Sequence, residues 1–228
     1  MSTELLLLGF IRATASELVK QVDVPVLFAI VCGSSAGVAV PAEAWPEGLA
    51  GLQLQNRVLL GLNESDGVLP VRTGTVFGSA GEIQELIARY DSEIRRRLDL
   101  IAGKVELGLD LWTTDSQATC GPADGPGRQY LRRLCGAVAD PGPVGAFCVA
   151  LHQRLTEISA ESERLACLRP STVFRASYLL PKEKVEEFKS LVTGEVGGMN
   201  ELGFLITGPW PPYSFSCLEL EKGEGSGR

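Results

Sequence analysis

The sequence predicts an α+β protein of two domains, each a mostly antiparallel sheet with helices packed on it. The chain has 228 residues, which is long enough for two small domains. Its hydrophobic content of 45% is that of a globular protein with a real core. Short apolar runs and alternating patterns, which are typical of strands, are interspersed with segments of helical period.

The first third of the chain predicts strands and helices in the order of a split βαβ, ferredoxin-like arrangement. In chain order we predict a strand over 4–11, a helix over 14–22, strands over 26–32 and 36–40, a helix over 51–62 and an extended segment over 68–77. The run 26–32 is almost continuously apolar, which indicates a covered strand. Gly33, Ser34 and Ser35 predict the turn of a hairpin.

The next helix has the clearest pattern in the chain. Ser79 and Glu82 have the spacing of a capping box, in which each side chain satisfies a backbone N–H of the first turn. Apolar residues then recur at helical spacing from Ile83 to Ile101, and oppositely charged residues four apart lie on the other side. We therefore predict one long amphipathic helix.

The second half predicts a further sheet with its own helices. Alternation over 104–112 predicts a strand with Glu106 on its solvent side. Further predictions, in chain order, are a loop over 115–127, two helices of which the second runs from Pro143 through Leu165, a strand over 172–180, a helix from Pro181 to Gly197, a strand over 202–207 and a disordered tail from Glu221. We place the domain limits at 1–101 and 102–228.

The charge of the chain argues against nucleic acid and anionic membranes as partners. The formal net charge is −7 and the isoelectric point is about 4.9, whereas both partners favour a basic surface. No segment approaches the ~18 apolar residues that a membrane span needs. The apolar run from Leu5 to Leu8 has no positive charge before it, so we interpret it as a buried strand rather than a signal peptide. A cytoplasmic protein is expected.

The cysteines and the single histidine do not form a metal-site pattern. The six cysteines are Cys32, Cys120, Cys135, Cys148, Cys167 and Cys217. No two of them form a C-x-x-C pair, and His152 is the only histidine. We therefore predict no zinc site and no cofactor, and we interpret the cysteines as small buried hydrophobes in a reducing compartment.

The most unusual segment alternates prolines with aromatic residues near the C-terminus. It runs Gly208-Pro209-Trp210-Pro211-Pro212-Tyr213-Ser214-Phe215. Because proline fixes φ and lacks the N–H donor, we predict a stiff, extended corner that presents the aromatic side chains in fixed directions. Such a corner serves either to hold the last strand on the core or to bind a partner.

One motif suggests an alternative, enzymatic function. Gly33 to Gly37 matches G-x-S-x-G, which would make Ser35 a nucleophile, His152 a base and Asp110 or Asp115 the acid. A nucleophile elbow is followed by a helix, but the residues after Gly37 predict a strand. A hairpin turn is the favoured interpretation, and a serine hydrolase is the alternative.

Two further charged or titratable residues stand out. His152 lies beside the apolar stripe of a predicted helix, which favours a partly buried, hydrogen-bonded histidine. Arg72 lies within an apolar strand, so we expect its guanidinium to be buried and paired with a carboxylate, with partner binding as the alternative.

Three segments in chain order carry a resemblance to a known family. Residues 205–215 resemble the C-terminal signature of the gas vesicle protein F/L family. Residues 68–77 and residues 100–106 resemble two upstream segments of the same family. The chain departs from the family at Thr73, where an aromatic residue is usual, and at Asn56, near where many members have a histidine.

The resemblance implies an accessory protein of gas vesicle assembly, located in the cytoplasm and at the gas vesicle. Gas vesicles are gas-filled shells built from a small, very apolar subunit, and the chain is expected to bind this shell subunit and other accessory proteins. The resemblance also implies two α+β domains, with a modified ferredoxin-like C-terminal domain, and no catalytic residues. An acidic partner could keep the apolar subunit from aggregating by strand addition or aromatic packing. A generic cytoplasmic adaptor is the remaining alternative.

Overall fold

The computed structural model describes residues 3–24, 26–114, 142–167 and 171–216. These residues divide into two compact units. Unit 1 comprises the residues up to Val105 together with those from Trp210 onward, and unit 2 runs from Glu106 to Pro209. The domain limits of 1–101 and 102–228 stay a prediction. The division by contacts differs from them chiefly in grouping the C-terminal segment with unit 1.

Unit 1 contains a five-stranded sheet and two long α-helices within the described ranges. Its elements are β1 Leu5–Arg12, a 3-10 helix Ala13–Gln21, β2 Phe28–Cys32, β3 Ser35–Pro41, a 3-10 helix Ala42–Ala44, α1 Gly48–Ser65, β4 Leu69–Pro70, β5 Val76–Phe77 and α2 Ala80–Ile101. The strand order is β2-β3-β1-β4, and β5 also pairs with β1. Strand β1 pairs with β3, β4 and β5, and β3 also pairs with β2; these four pairings are antiparallel, as predicted.

Helices cover both faces of this sheet, which explains why β1 is buried almost throughout. Leu6 and Leu8 pack in one cluster with residues of α1 and the first 3-10 helix. On the opposite face Gly37 of β3 lies against Ile83 of α2 and Leu7 of β1. Since side chains alternate along a strand, the continuous apolar sequence of β1 supplies apolar side chains to both faces of this sheet.

The prediction that β2 is a covered strand is wrong. Within the described residues β2 pairs only with β3 and forms an edge of the sheet. Phe28 and Val31 expose 37% and 46% of their surface. A short apolar run has the same appearance whether its strand lies at the centre or at the edge, because strand order depends on pairing with residues elsewhere in the chain.

The predicted N-cap of α2 at Ser79 is confirmed, while Glu82 bonds to the backbone N–H of the residue before the N-cap instead of to that of the N-cap itself. The backbone N–H of Glu82 donates to Ser79 Oγ at 3.3 Å, and Glu82 Oε2 accepts from the backbone N–H of Gly78 at 3.1 Å. The buried side of the helix consists of Ile83, Ile87, Ile94, Leu98 and Ile101. Local hydrogen bonds at the first turn and apolar burial along one side therefore specify the same helix.

Unit 2 is built around a four-stranded sheet with the order β7-β8-β6-β9. Its elements are β6 Lys104–Thr113, α3 Gly142–Glu157, β7 Glu161–Arg164, β8 Thr172–Pro181, a 3-10 helix Lys182–Lys184, α4 Val185–Val196 and β9 Leu202–Trp210. The ferredoxin-like description of this domain stays a prediction, since residues 115–141 lie outside the described part. The predicted loop 115–127, the helix after it and the disordered tail also fall outside.

The helix predicted to run through Leu165 ends at Glu157 instead. The residues after it form β7, in which Glu161 pairs with Leu179 and Arg164 with Ala176 of β8. The backbone N–H of Leu165 also donates to Arg175 O at 2.9 Å. Ladder hydrogen bonds to a distant strand thus replace the helical continuation that the apolar spacing suggested.

The core of unit 2 lies between one face of the sheet and helices α3 and α4. Its buried residues are Leu107, Leu109, Leu111, Cys148, Leu151, Leu155, Phe174, Ala176, Tyr178, Leu180, Phe188, Val192, Val196 and Leu202. Glu106 is on the other face, yet the prediction that it faces solvent is wrong, because it is buried and accepts a hydrogen bond of 2.8 Å from Ser177 Oγ. Burial there depends on the neighbouring strand β8, which the alternation along β6 does not reveal.

Candidate functional site: an apolar groove in unit 1

A tight turn projects from the sheet of unit 1 between β4 and β5. The backbone N–H of Val71 donates to Leu8 O at 3.1 Å, and the N–H of Leu7 donates to Thr75 O at 2.9 Å. Between these bonds Thr75 N–H donates to Arg72 O at 3.2 Å, and Gly74 has a φ of 83°. A positive φ at the third position of such a turn favours glycine, so Gly74 fixes the turn and leaves Thr73 at its tip.

The C-terminal proline–aromatic segment is a chain of turns rather than the predicted extended corner. Strand β9 continues through Trp210, and the backbone N–H groups of Tyr213 and Phe215 then donate to Pro211 O at 2.7 Å and Pro212 O at 3.2 Å. Proline lacks an N–H donor but keeps its carbonyl acceptor, so these prolines can still begin turns.

The aromatic residues of this segment divide into buried and exposed ones. Phe215 is only 5% exposed, whereas Trp210 and Tyr213 expose 38% and 36% of their surface. Pro211 and Pro212 are buried and Pro209 is exposed. The segment therefore has an anchoring side and a side available for contact.

The tight turn and the C-terminal segment enclose one groove of about 600 Å³, which we call the unit 1 groove. It is lined by Leu7, Phe10, Pro70, Val71, Arg72, Thr73, Thr75, Phe77, Leu86, Tyr213 and Ser216. The lining is mainly apolar, and its volume lies within the range of ~300–1,000 Å³ typical of ligand pockets. Two segments that are far apart in the sequence thus meet at one surface.

Arg72 lies at the polar side of the unit 1 groove and is exposed. The prediction that its guanidinium is buried is wrong, because Arg72 begins the turn instead of continuing the strand. None of the ion pairs between described residues involves Arg72. On the other side of the groove Tyr213 Oη donates to Asn56 Oδ1 of α1 at 3.5 Å, a long hydrogen bond.

Sequence analysis did not single out Leu7, Phe10 or Leu86 as groove residues. All three belong to regular apolar patterns, on β1 and α2, which indicate burial but not the side of the core to which a cavity opens. The signal that could have found them is indirect: β1 pairs with the segments on both sides of the turn, so its residues must lie beside that turn.

Ser35 does not have the environment of a catalytic nucleophile. It is fully buried, strand β3 follows it where an elbow needs a helix, and its Oγ donates to Asp91 Oδ1 at 2.7 Å. Burial alone would raise the pKa of Asp91, but hydrogen bonds from Ser35 and Ser34 and the nearby Arg95 charge outweigh it and lower the pKa. The favoured interpretation as a hairpin turn is confirmed.

The other residues of the hydrolase alternative have structural partners of their own. Asp110 forms an ion pair with Arg175 Nε at 3.1 Å, and Asp115 lies outside the described residues. His152 is partly buried, as predicted, with Nδ1 at 2.8 Å from Tyr178 Oη and its ring against Phe174. Burial, together with the Arg164 charge, lowers the pKa of His152. These contacts place both side chains in the packing of unit 2.

The described residues contain no cluster of three or more His, Cys, Asp or Glu side chains able to hold a metal ion. Cys148 is buried, which raises the pKa of its thiol to about 11, while Cys32 and Cys167 are half-buried; all three are free thiols. Cys120, Cys135 and Cys217 lie outside the described part. None of the helices in that part has the length and apolar character needed to cross a bilayer.

Comparison with known proteins shows the family. Residues 14–133 and 144–216 match the model of the gas vesicle synthesis protein GvpL/GvpF family. The chain belongs to this family, whose members are gas vesicle accessory proteins and not a known class of enzyme. The groove therefore belongs to a member of the GvpL/GvpF family.

Characterised relatives give the same family. The chain is 28% identical over 173 residues to gas vesicle protein L of a Streptomyces species, covering 67% of this chain and 64% of that protein. It is 26% identical over 181 residues to gas vesicle protein F of Haloferax mediterranei, covering 78% and 74% of the two chains. The match thus spans slightly less than two thirds of the Streptomyces protein.

Two solved structures share the fold. The crystal structure of GvpF from Anabaena has a TM-score of 0.72 at 15% identity, covering 96% of this chain and all of that chain. GvpF from Microcystis aeruginosa has a TM-score of 0.69 at 15% identity, covering 95% and 100%. The predicted fold class, α+β with two antiparallel sheets and packed helices, is confirmed.

Proposed function

We propose that the chain acts in the cytoplasm during gas vesicle formation by binding the apolar shell subunit, and that the unit 1 groove is the binding site. The observation that carries this proposal is the meeting of the turn at 71–75 with the segment 211–216 around one apolar cavity. Both segments belong to stretches that resemble the family. Other accessory proteins of the gas vesicle are further proposed partners.

The composition of the groove suits an apolar protein partner. Its walls come from Leu7, Phe10, Phe77 and Leu86, and Tyr213 adds an exposed aromatic ring at the rim. Large aromatic and aliphatic side chains around a cavity can bind an apolar side chain that the partner inserts into it. A few inserted side chains of this kind supply most of the affinity of an interface. Before assembly, the shell subunit exposes an apolar surface that tends to aggregate. Contacts with the groove would cover part of that surface and keep the subunit in solution.

Filling the groove tests this proposal. Ser216 is half-buried and lines the groove, so Ser216→Trp would occupy the cavity without replacing an apolar core residue. Ser190→Trp on α4 of unit 2 is the matched control, because Ser190 is exposed and does not line the groove. Each variant would be co-expressed with the shell subunit of the same organism.

We expect Ser216→Trp to lower both the soluble yield of the shell subunit and the amount that co-purifies, with Ser190→Trp behaving as the wild type. In a strain lacking the gene, Ser216→Trp should also fail to restore buoyancy. Unchanged association for Ser216→Trp, in a protein shown to be folded by circular dichroism, would exclude the groove as the binding site. Absence of association for the wild type would contradict shell-subunit binding altogether.

A further inference from the structure

We infer that the unit 1 groove selects a partner segment in which an acidic residue lies next to an apolar anchor side chain. Arg72 forms the ion pair with this acidic residue. This inference rests on the proposed function, since it names the chemistry of the segment bound at that site. It concerns specificity, which the apolar lining alone does not provide.

The position of Arg72 is fixed by the turn that carries it. Its carbonyl oxygen accepts two hydrogen bonds from Thr75, from the backbone N–H at 3.2 Å and from Oγ1 at 2.6 Å. The backbone N–H of Val71, one residue earlier, is bonded to Leu8 of β1. The backbone that carries the guanidinium is therefore already ordered. Ligand binding has to restrict only the rotamers of the Arg72 side chain, which lowers the entropic cost of binding.

Several arginines of the described part are ion-paired, whereas Arg72, like Arg57, Arg89 and Arg95, has no ion pair with a described carboxylate. Arg12 pairs with Asp66 and Asp99 at 2.9 and 2.8 Å. Arg175 pairs with Asp110, and Arg96 and Arg97 both pair with Glu93. Arg72 has no ion pair with any described carboxylate, although the chain carries a net charge of −7. Arg72 is the arginine among the described residues that line the groove, and a cation there with no described carboxylate partner is a ready site for a partner's carboxylate.

The arrangement favours an acid next to the anchor and disfavours a base there. Arg72 and apolar residues such as Pro70 and Phe77 line the same cavity, so a segment whose apolar side chain enters it brings its neighbouring residue to the guanidinium. Displacement of water by the anchor strengthens the charge interaction, whereas a lysine at the same place would be repelled. The partner is thus an apolar peptide segment with a carboxylate beside its anchor.

Three matched peptides test the inference with the full-length protein. The probes are acetyl-Gly-Leu-Phe-Glu-Leu-Gly-amide and its versions with Gln or Lys in place of Glu, with Kd measured by calorimetry at low ionic strength. We expect the wild type to bind the Glu peptide roughly three- to five-fold more tightly than the Gln peptide, which is the upper part of the range for an exposed charge pair. Added salt should reduce this preference.

Variants assign the preference to one side chain. Arg72→Gln should bind the Glu and Gln peptides equally, Arg72→Glu should prefer the Lys peptide, and Ser216→Trp should weaken binding of all three. Arg95→Gln is the control, because Arg95 is also an exposed arginine of unit 1 and does not line the groove. An undiminished Glu preference in Arg72→Gln, or its loss in Arg95→Gln, would overturn the role of Arg72.

The results separate this inference from the proposed function. If no peptide binds the wild type while Ser216→Trp still lowers association with the shell subunit, the acidic-anchor inference is overturned and the proposed function stands. If the Glu preference is found and depends on Arg72, but Ser216→Trp leaves association with the shell subunit unchanged, the inference stands and the groove binds some other acidic, apolar segment.

Discussion

Ser35 Oγ donates a hydrogen bond of 2.7 Å to Asp91 Oδ1 and thereby joins the β2–β3 hairpin to helix α2. Ser34 Oγ donates to the other oxygen of the same carboxylate, also at 2.7 Å. A motif that resembles the nucleophile elbow of hydrolases is therefore a pair of hydroxyl donors on one acceptor. Its effect is on packing, because it holds the turn of the hairpin against α2.

Removal of the buried hydroxyl should destabilise the fold. Ser35 is fully buried, so Ser35→Ala loses a hydrogen bond to a charged group, and we expect the free energy of unfolding in urea to fall by about 1–2 kcal/mol. Ser34→Ala is the matched control, since Ser34 is exposed and water can replace its hydroxyl; its effect should be smaller. Labelling of Ser35 by a fluorophosphonate would contradict this structural role.

The stability of unit 2 should depend on pH through His152. Its pKa in the folded protein lies below the ordinary value of 6.5, chiefly because of burial. The folded state thus resists protonation, so the stability present above pH 6.5 declines as the pH falls below 6.5 toward the folded pKa. His152 is the only histidine, which lets proton NMR follow one titration. Its midpoint should lie below 6.5, and the pH dependence of the urea midpoint in this window should be weaker in His152→Gln.

The aromatic residues of the C-terminal segment should differ sharply in their contribution to stability. Phe215 is buried, so Phe215→Ala should cost about 3–5 kcal/mol in the free energy of unfolding. Trp210→Ala, at an exposed position, should change it by less than about 1 kcal/mol. Urea denaturation followed by far-UV circular dichroism measures both. Equal losses would show that the exposed indole also supports the fold, which would contradict its availability to a partner.

Two glycines of unit 2 should respond in opposite directions to the same substitution. Gly203 of β9 lies against the indole of Trp112, so a Cβ there would overlap the ring, and Gly203→Ala should destabilise by about 1–3 kcal/mol. Gly194 lies in α4 with open space around it, so Gly194→Ala should stabilise by about 0.5–1 kcal/mol. Thermal unfolding distinguishes them. A stable Gly203→Ala variant would mean that Trp112 can move aside freely.

The features that sequence analysis predicted correctly depend on neighbours in the chain. The α2 N-cap needs only Ser79 and Glu82, and the hairpin needs only the turn between β2 and β3. His152 was placed correctly because one helical turn determines its nearness to an apolar stripe. In each case the interaction that determines the feature joins residues close together in the chain, so the local sequence pattern is enough to predict it.

The predictions that were wrong concern features that depend on residues far away in the chain. Glu106 is buried because Ser177 lies beside it on another strand, and β2 is exposed because no described strand pairs with its outer edge. The groove has the same character, since Leu7, Thr73 and Tyr213 meet only after folding. Resemblance to a family identified two of its segments, but spacing alone could not show that they form one cavity.

The return of the C-terminal segment to unit 1 has a consequence for synthesis on the ribosome. Residues up to Val105 leave the exit tunnel first, yet Tyr213 and Ser216 are still untranslated at that point. The groove therefore lacks one wall until translation has passed through the whole of unit 2. A nascent chain would be unable to engage its partner early, and binding would begin only after Tyr213 and Ser216 have also left the tunnel.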